Sequence, residues 1–228
     1  MKHMLKYIFS LLFLSHCVVG FAQTDTTQVV YPKTYGLRIG TDLNKIARNF
    51  YEDKYKGFEI VGDYRISNKL YVAAEVGLED KYTNQENLKF TTSGQYIKLG
   101  IDYNVYENWL DMQNMIYVGG RLGYAMFKQD LEEYTLRDLN HYFPTETYNG
   151  GSFDGLNAIW LEFVAGTKVE VFTNLYLGIS ARVNYKFSDT KPDNFENLHI
   201  PGFNKKYSGN FGVGFNYTVS YVIPFKKK

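Results

Sequence analysis

The stretch Phe211-Gly212-Val213-Gly214-Phe215-Asn216-Tyr217-Thr218-Val219-Ser220-Tyr221-Val222-Ile223-Pro224-Phe225 decides the fold. Its odd positions, from Phe211 and Val213 to Ile223 and Phe225, are all apolar or aromatic. The even row, Gly212, Gly214, Asn216, Thr218 and Ser220, is small or polar until Val222 and Pro224. Successive side chains of a strand point to opposite faces, so this segment has one greasy face and one polar face. It is also longer than the about 9–11 tilted residues with which a strand crosses a bilayer.

The pattern recurs seven times. Strands are predicted near 34–42, 57–66, 70–79, 90–103, 114–127, 156–171 and 175–187, with the last over 208–225. Ser67-Asn68-Lys69 and Phe172-Thr173-Asn174 read as tight turns, and 104–113 as a medium one carrying Trp109. The connections 43–56, 80–89, 128–155 and 188–207 are longer. Short turns at one end and long loops at the other are the arrangement of outer-membrane barrels. The fold class expected is therefore all-β, an eight-stranded antiparallel up-and-down transmembrane β-barrel over 34–225.

Two local patterns refine this. Leu70-Tyr71-Val72, Ile116-Tyr117-Val118 and Leu175-Tyr176-Leu177 each open a strand just after a turn and put a Tyr on the polar row at one height. In 43–51, Leu43, Ile46, Ala47 and Phe50 recur at helical spacing, which predicts a short helix capping the first long loop.

Alternation does not say which face points inward, since a soluble lipocalin-like barrel would hold the apolar row inside. Here the polar rows are rich in small residues (Gly36, Gly40, Gly100, Gly119, Gly123), which suits a crowded lumen. The apolar rows are long and carry Tyr towards several strand ends, where an interface girdle belongs. With the polar row inside, the lumen receives Arg38, Lys98, Arg121, Lys168 and Arg182 against Glu59, Asp63, Glu75, Asp102 and Glu162. Arg65, Lys186, Glu79 and Glu170 join nearer the strand ends. Such a balance is what a closed, salt-bridged interior requires. Arg121, mid-strand, is its expected anchor.

Residues 1–22 read as a cleaved export signal: Lys2 and Lys6, then apolar Tyr7 to Leu14, then Gly20-Phe21-Ala22 before Gln23. Residues 23–33 would be a short periplasmic segment, and Lys226 to Lys228 a basic tail. Cys17, the single cysteine, follows the bulky His16, which argues against lipid modification. Without the leader no disulfide or thiolate chemistry remains. Subtracting Lys2 and Lys6 from 25 basic residues leaves 23 against 24 acidic ones, and this near-neutrality argues against a nucleic-acid binder. Mean hydropathy is −0.32, and no apolar run of about 18 residues follows the leader, which excludes helical spans.

Catalytic signals are weak. Beyond the leader the chain has two histidines, His141 and His199, both in loops, while Ser180 and Ser220 lie on lumen rows. Ser152, Asp154 and His141 share a loop without a defined geometry. Loop acids such as Asp130, Glu132, Glu133, Asp138 and Asp193 lack calcium-loop spacing. No cofactor and no metal are expected, and the chain is not expected to be an enzyme.

Gly57 to Arg65, Tyr103 to Leu110, Lys191 to Asn204 and Phe211 to Tyr217 together resemble a family of small outer-membrane β-barrel proteins of unknown function found in Bacteroidota-type bacteria. The resemblance implies outer-membrane location and transfers no functional residue. The leading expectation is a structural or surface-interaction protein with a packed polar lumen. Its loop contacts would come from Asn140, Tyr142, Phe143, Tyr148, Phe195 and Phe203, which could equally pack on each other over the mouth. The expected partners are outer-membrane lipid and lipopolysaccharide, the barrel assembly machinery and an extracellular partner. A narrow, porin-like passive channel and a lipid-directed hydrolase are the alternatives.

Overall fold

The computed structural model describes residues 34–107, 113–136, 146–192 and 195–227. The expected leader 1–22 and the segment 23–33 lie outside the described residues. So do Trp109, Asp138, Asn140, His141, Tyr142, Phe143 and Asp193. The described elements run β1 (Thr34–Asp42), α1 (Leu43–Tyr51), β2 (Tyr55–Arg65), β3 (Leu70–Gln85), β4 (Leu88–Asn104), β5 (Met115–Leu136), β6 (Glu146–Asn149), β7 (Ser152–Phe172), β8 (Leu175–Asp189), β9 (Lys205–Ser208) and β10 (Phe211–Lys227).

Eight of the strands close a ring in the order β1-β2-β3-β4-β5-β7-β8-β10, and β10 pairs back onto β1. Every pairing in the ring is antiparallel. Closure leaves no free edge, so the backbone of all eight strands is paired within the ring. β6 extends β5 and β9 lies against β10, both at the long-loop end.

The faces fall as the alternation requires. On β10, Gly212, Asn216, Ser220 and Val222 are buried inside while Phe215, Tyr217, Tyr221 and Phe225 are exposed outside. The strand does not stop at Phe225. Lys226 and Lys227 pair with Tyr35 and Thr34, so the expected basic tail is mostly strand. Ladder bonds need only backbone, and an apolar row cannot mark where they end. Pro224, which has no N–H to give, stands beside the bulge opposite Tyr35 and Gly36.

The long-loop end also departs from expectation. Segment 80–89 is a hairpin in which β3 and β4 pair to their tips and only Glu86 and Asn87 connect them. Segment 128–155 is largely strand as well. Beyond the apolar band both faces meet polar surroundings, so alternation fades while pairing continues.

Helix α1 forms as predicted, with Asp42 as N-cap accepting from Asn44 N–H at 2.7 Å. Its apolar residues turn mostly outward. Lys45 is buried over the mouth at 3.3 Å from Glu79, and Phe50 is 87% exposed. Asn49 pins the helix to β2, accepting from Gly57 N–H at 2.7 Å and donating to Gly57 O at 3.0 Å. At the outer turn, a hydrogen bond from Arg48 holds the Glu52 carboxyl below its ordinary range.

The lumen is filled in three layers. At the short-turn end Tyr71, Met115, Tyr117 and Val164 cluster, and Tyr176 lies beside them under Arg38, which realises the expected Tyr layer. The charged layer occupies the middle. At the long-loop end Tyr96, Phe127, Leu156, Trp160, Ile200 and Phe203 form a second apolar cluster. Ile200 and Phe203 arrive from the loop after β8, which folds down into the mouth. Gly202 permits this entry. Its φ is +76°, and a Cβ there would sit 2.5 Å from the Tyr96 ring.

Phe203 is the keystone of the upper plug, 3% exposed and edge-on to Trp160 at 5.8 Å. Replacing it with Ala is expected to cost about 3–5 kcal/mol. The check is the urea midpoint of the heat-shifted folded band in detergent, and an unchanged midpoint would show that the loop is not a plug.

Candidate functional site

The charged layer is one connected network built from seven strands. Asp63 of β2 is held by Arg38 of β1 at 3.3 Å and by Lys168 of β7 at 2.6 Å. Lys168 reaches Asp102 of β4 at 4.0 Å, and Asp102 pairs with Arg121 of β5 at 2.7 Å. Arg121 Nε lies 3.5 Å from Glu75 of β3. Glu75 also takes two bonds from Arg182 of β8, at 2.6 and 3.1 Å, and lies 3.3 Å from Lys98. Arg182 and Lys98 then close on Glu162 of β7 at 2.7 and 3.3 Å.

Glu75, which meets three cations, is the hub, and Arg121 is one of its partners. Arg121 is also fixed by the carbonyls of Ile101 and Gly120, each at 3.1 Å. Glu59 stands apart from the ion pairs. It accepts from the Tyr96 hydroxyl and, at 3.3 Å, from Asn216, whose amide also reaches Asp42 at 2.5 Å. All ten predicted lumen residues therefore enter the interior, nine through ion pairs and Glu59 through neutral donors.

Aromatic faces absorb charge the carboxylates leave. Arg38 stacks over Tyr176 at 4.5 Å, Lys168 over Tyr117 at 5.0 Å, and Lys98 over Tyr96 at 5.4 Å. Two cavities bordering the lower network measure about 20 Å³ each. A single water needs about 10–15 Å³ by the same kind of measure, so each has room for little more than one.

The crown is tied to the barrel through Glu79 of β3. It receives Gly202 N–H at 3.1 Å, Lys45 at 3.3 Å, His199 Nε2 at 3.4 Å and Arg48 at 3.8 Å. His199 is thereby placed beside a carboxylate and two cations. Ser152 donates to Asp130 at 2.5 Å, and His141, in the same loop, lies outside the described residues.

The loop contacts divide. Phe203 is inside the barrel: of the two expectations held for it, surface contact or packing over the mouth, it packs, but against Trp160 of β7 and not against another loop. Tyr148 and Phe195 remain outside. Tyr148 stacks on Tyr134 at 5.4 Å and Phe195 meets the same ring edge-on at 5.2 Å. Tyr134, Ile200 and the Gln129 amide, which accepts Leu198 N–H at 2.9 Å, were missed by sequence reasoning. Their signal is tertiary, because loop 190–204 carries no periodicity that names its partners.

Removing one partner of a buried ion pair strands the other. Arg121→Leu is therefore expected to cost about 3–5 kcal/mol, read as a lower urea midpoint for the folded band in detergent. Lys69→Ala breaks the exposed Lys69–Glu107 pair, 2.8 Å long, and is expected to leave the midpoint unmoved. Equal behaviour of the two variants would contradict the network.

Two solved structures are similar in outline. A crystal structure of Neisserial surface protein A (NspA) matches with a TM-score of 0.43 and 14% identity, covering 85% of this chain and 99% of that one. The crystal structure of Ail, the attachment invasion locus protein of Yersinia pestis, matches with a TM-score of 0.39 and 10% identity, covering 84% of this chain and 99% of that one. No curated protein matches the sequence. The family described as a domain of unknown function, DUF6048, matches residues 4–228, and the chain belongs to it.

Proposed function

We propose that the chain is a bacterial outer-membrane barrel with a closed lumen, acting as a structural or surface-interaction protein through its long-loop end. The observation that carries this reading is the inversion of polarity. Large apolar side chains such as Phe58, Leu78, Leu99, Leu122, Phe163 and Phe215 are about half exposed on the outer wall, while Glu59, Lys98, Asp102 and Glu162 are buried within. Such an exterior belongs in hydrocarbon, where a closed ring is the sheet arrangement that satisfies every backbone group.

In this reading residues 1–22 are cleaved on export and the barrel assembly machinery inserts the rest. The surrounding partners are outer-membrane lipid and lipopolysaccharide. The half-exposed Tyr134–Tyr148–Phe195 cluster supplies amphipathic contact area for an extracellular partner. Its role is non-enzymatic. Support comes from His199, which faces Glu79 and the cations around it. The three filled layers favour a plug over a passive channel, since eight strands leave an interior about wide enough for side chains.

Refolded protein is expected to show a heat-dependent gel shift, to float with liposomes and to give no current in planar bilayers. A chain that stays soluble and folded without detergent would sink the membrane reading. Discrete conductance steps altered by Arg121→Gln or Glu162→Gln would sink the plug.

A further inference from the structure

The outer wall carries a groove of about 970 Å³ near the long-loop end, within the range of about 300–1,000 Å³ usual for small-molecule sites. Its composition follows from register. Ile60, Val76, Ile97, Tyr124 and Ile159 form one cross-strand row on the outer face, wholly apolar. One pleat step towards the long-loop end, the row is Phe58, Leu78, Gln95, Met126 and Asn157, in which two amides interrupt the apolar side chains. One step further it is Lys56, Asp80, Ser93 and Lys128, all polar. The change from hydrocarbon-like to water-like surface thus takes two steps across adjoining strands, and the groove straddles it.

The hollow has a structural cause. The β5–β7 ladder is interrupted between Phe127 and Gln129, where Lys128 alone faces two residues of β7, Asp154 and Gly155. Opposite it Gly155 adopts φ +70° with open space where a Cβ would stand. Such bulges bend a sheet at a barrel rim. Ser93 adds little bulk to the same stretch of wall, where a larger outward side chain would fill the groove.

We infer that this groove binds one acylated, phosphorylated glycolipid of the outer leaflet. The inference rests on the membrane reading above and adds a site to it. An acyl chain lies on Phe58, Leu78 and Met126, continuous with the apolar band below. The Gln95 and Asn157 amides meet the polar junction of head and chain, where a glycolipid carries more hydroxyl and carbonyl groups than a glycerophospholipid. Lys56 and Lys128 face the phosphates. Lys128 lies 3.7 Å from Asp130 in an exposed pair, a contact a phosphate readily replaces. Asp80 stands between the lysines, so the upper row carries two cations against one carboxylate.

The test is native mass spectrometry of refolded full-length protein in mild detergent. The probes are bisphosphorylated lipid A, phosphatidylglycerol and phosphatidylethanolamine, titrated separately. Wild type is expected to keep a single lipid A adduct under activation that strips the other two. Lys56→Ala with Lys128→Ala is expected to weaken it about thirtyfold, from the attraction each cation has for anionic lipid. Ser93→Trp, which fills the groove, is expected to remove it. Each variant is first shown to keep its heat shift. Unchanged binding in both variants would overturn the site, and equal retention of phosphatidylglycerol would overturn the glycolipid assignment. A barrel that floats with liposomes yet holds no lipid A loses only this site, whereas one that does not float loses the membrane reading.

Discussion

The contact on which the rest depends is the one Arg182 makes with Glu75 and Glu162. Arg182 and Glu75 stand on β8 and β3, four places apart in a ring of eight, so their 2.6 Å contact spans the lumen. Lys168 and Asp63 do the same between β7 and β2. Ladder bonds hold neighbouring strands but say nothing about opposite walls. Long charged side chains do both jobs, tying the far walls together and cancelling each other's charge. Apolar side chains of equal volume could fill the same space, often with greater stability. They would also make both faces of every strand apolar and remove the difference that fixes which face turns inward.

That difference is why so much of the architecture was legible. An apolar row on one face and Arg121, Glu162 or Arg182 on the other specify a strand and its orientation together. The Tyr residues that open β3, β5 and β8 gave one height around the ring. What the alternation could not convey lies past the apolar band. In the β3–β4 hairpin, Tyr82 and Thr91 keep their strand pairing without the contrast that reveals it. In the sequence Phe203 stays between surface contact and packing for a related reason. An aromatic residue in a long loop beside a polar lumen reads either way, and only the tertiary structure shows Trp160 waiting inside. Helix α1 makes the point again: spacing identified the helix, but Lys45 faces inward because inside is the polar side.

The hub at Glu79 joins the two kinds of structure. It sits on a ring strand, yet its partners Lys45, Arg48, His199 and Gly202 all belong to crown segments. Helix α1 and the plug loop are therefore anchored to one carboxylate, and neither can lift without unpairing it. A buried carboxylate left without donors is costly, so the hub couples the two segments. The mouth is closed by a latch with two arms.

A closed lumen shifts attention to the outside, and the outside is lopsided. β1 and β2 have 9 and 11 residues, whereas β5 and β7 have 22 and 21. At about 3.4 Å per residue the tall side stands well above the short one. The aromatic cluster of Tyr134, Tyr148 and Phe195 rises with that side, and the groove lies on the wall at its foot. Part of the extra length is buried, with Phe90, Gln129 and Leu131 shielded from solvent and Gln129 accepting from Leu198 of the plug loop. The rest of the surplus strand is surface, with a paired backbone that holds its side chains in place, and there the structure has shape left to offer a lipid or a partner.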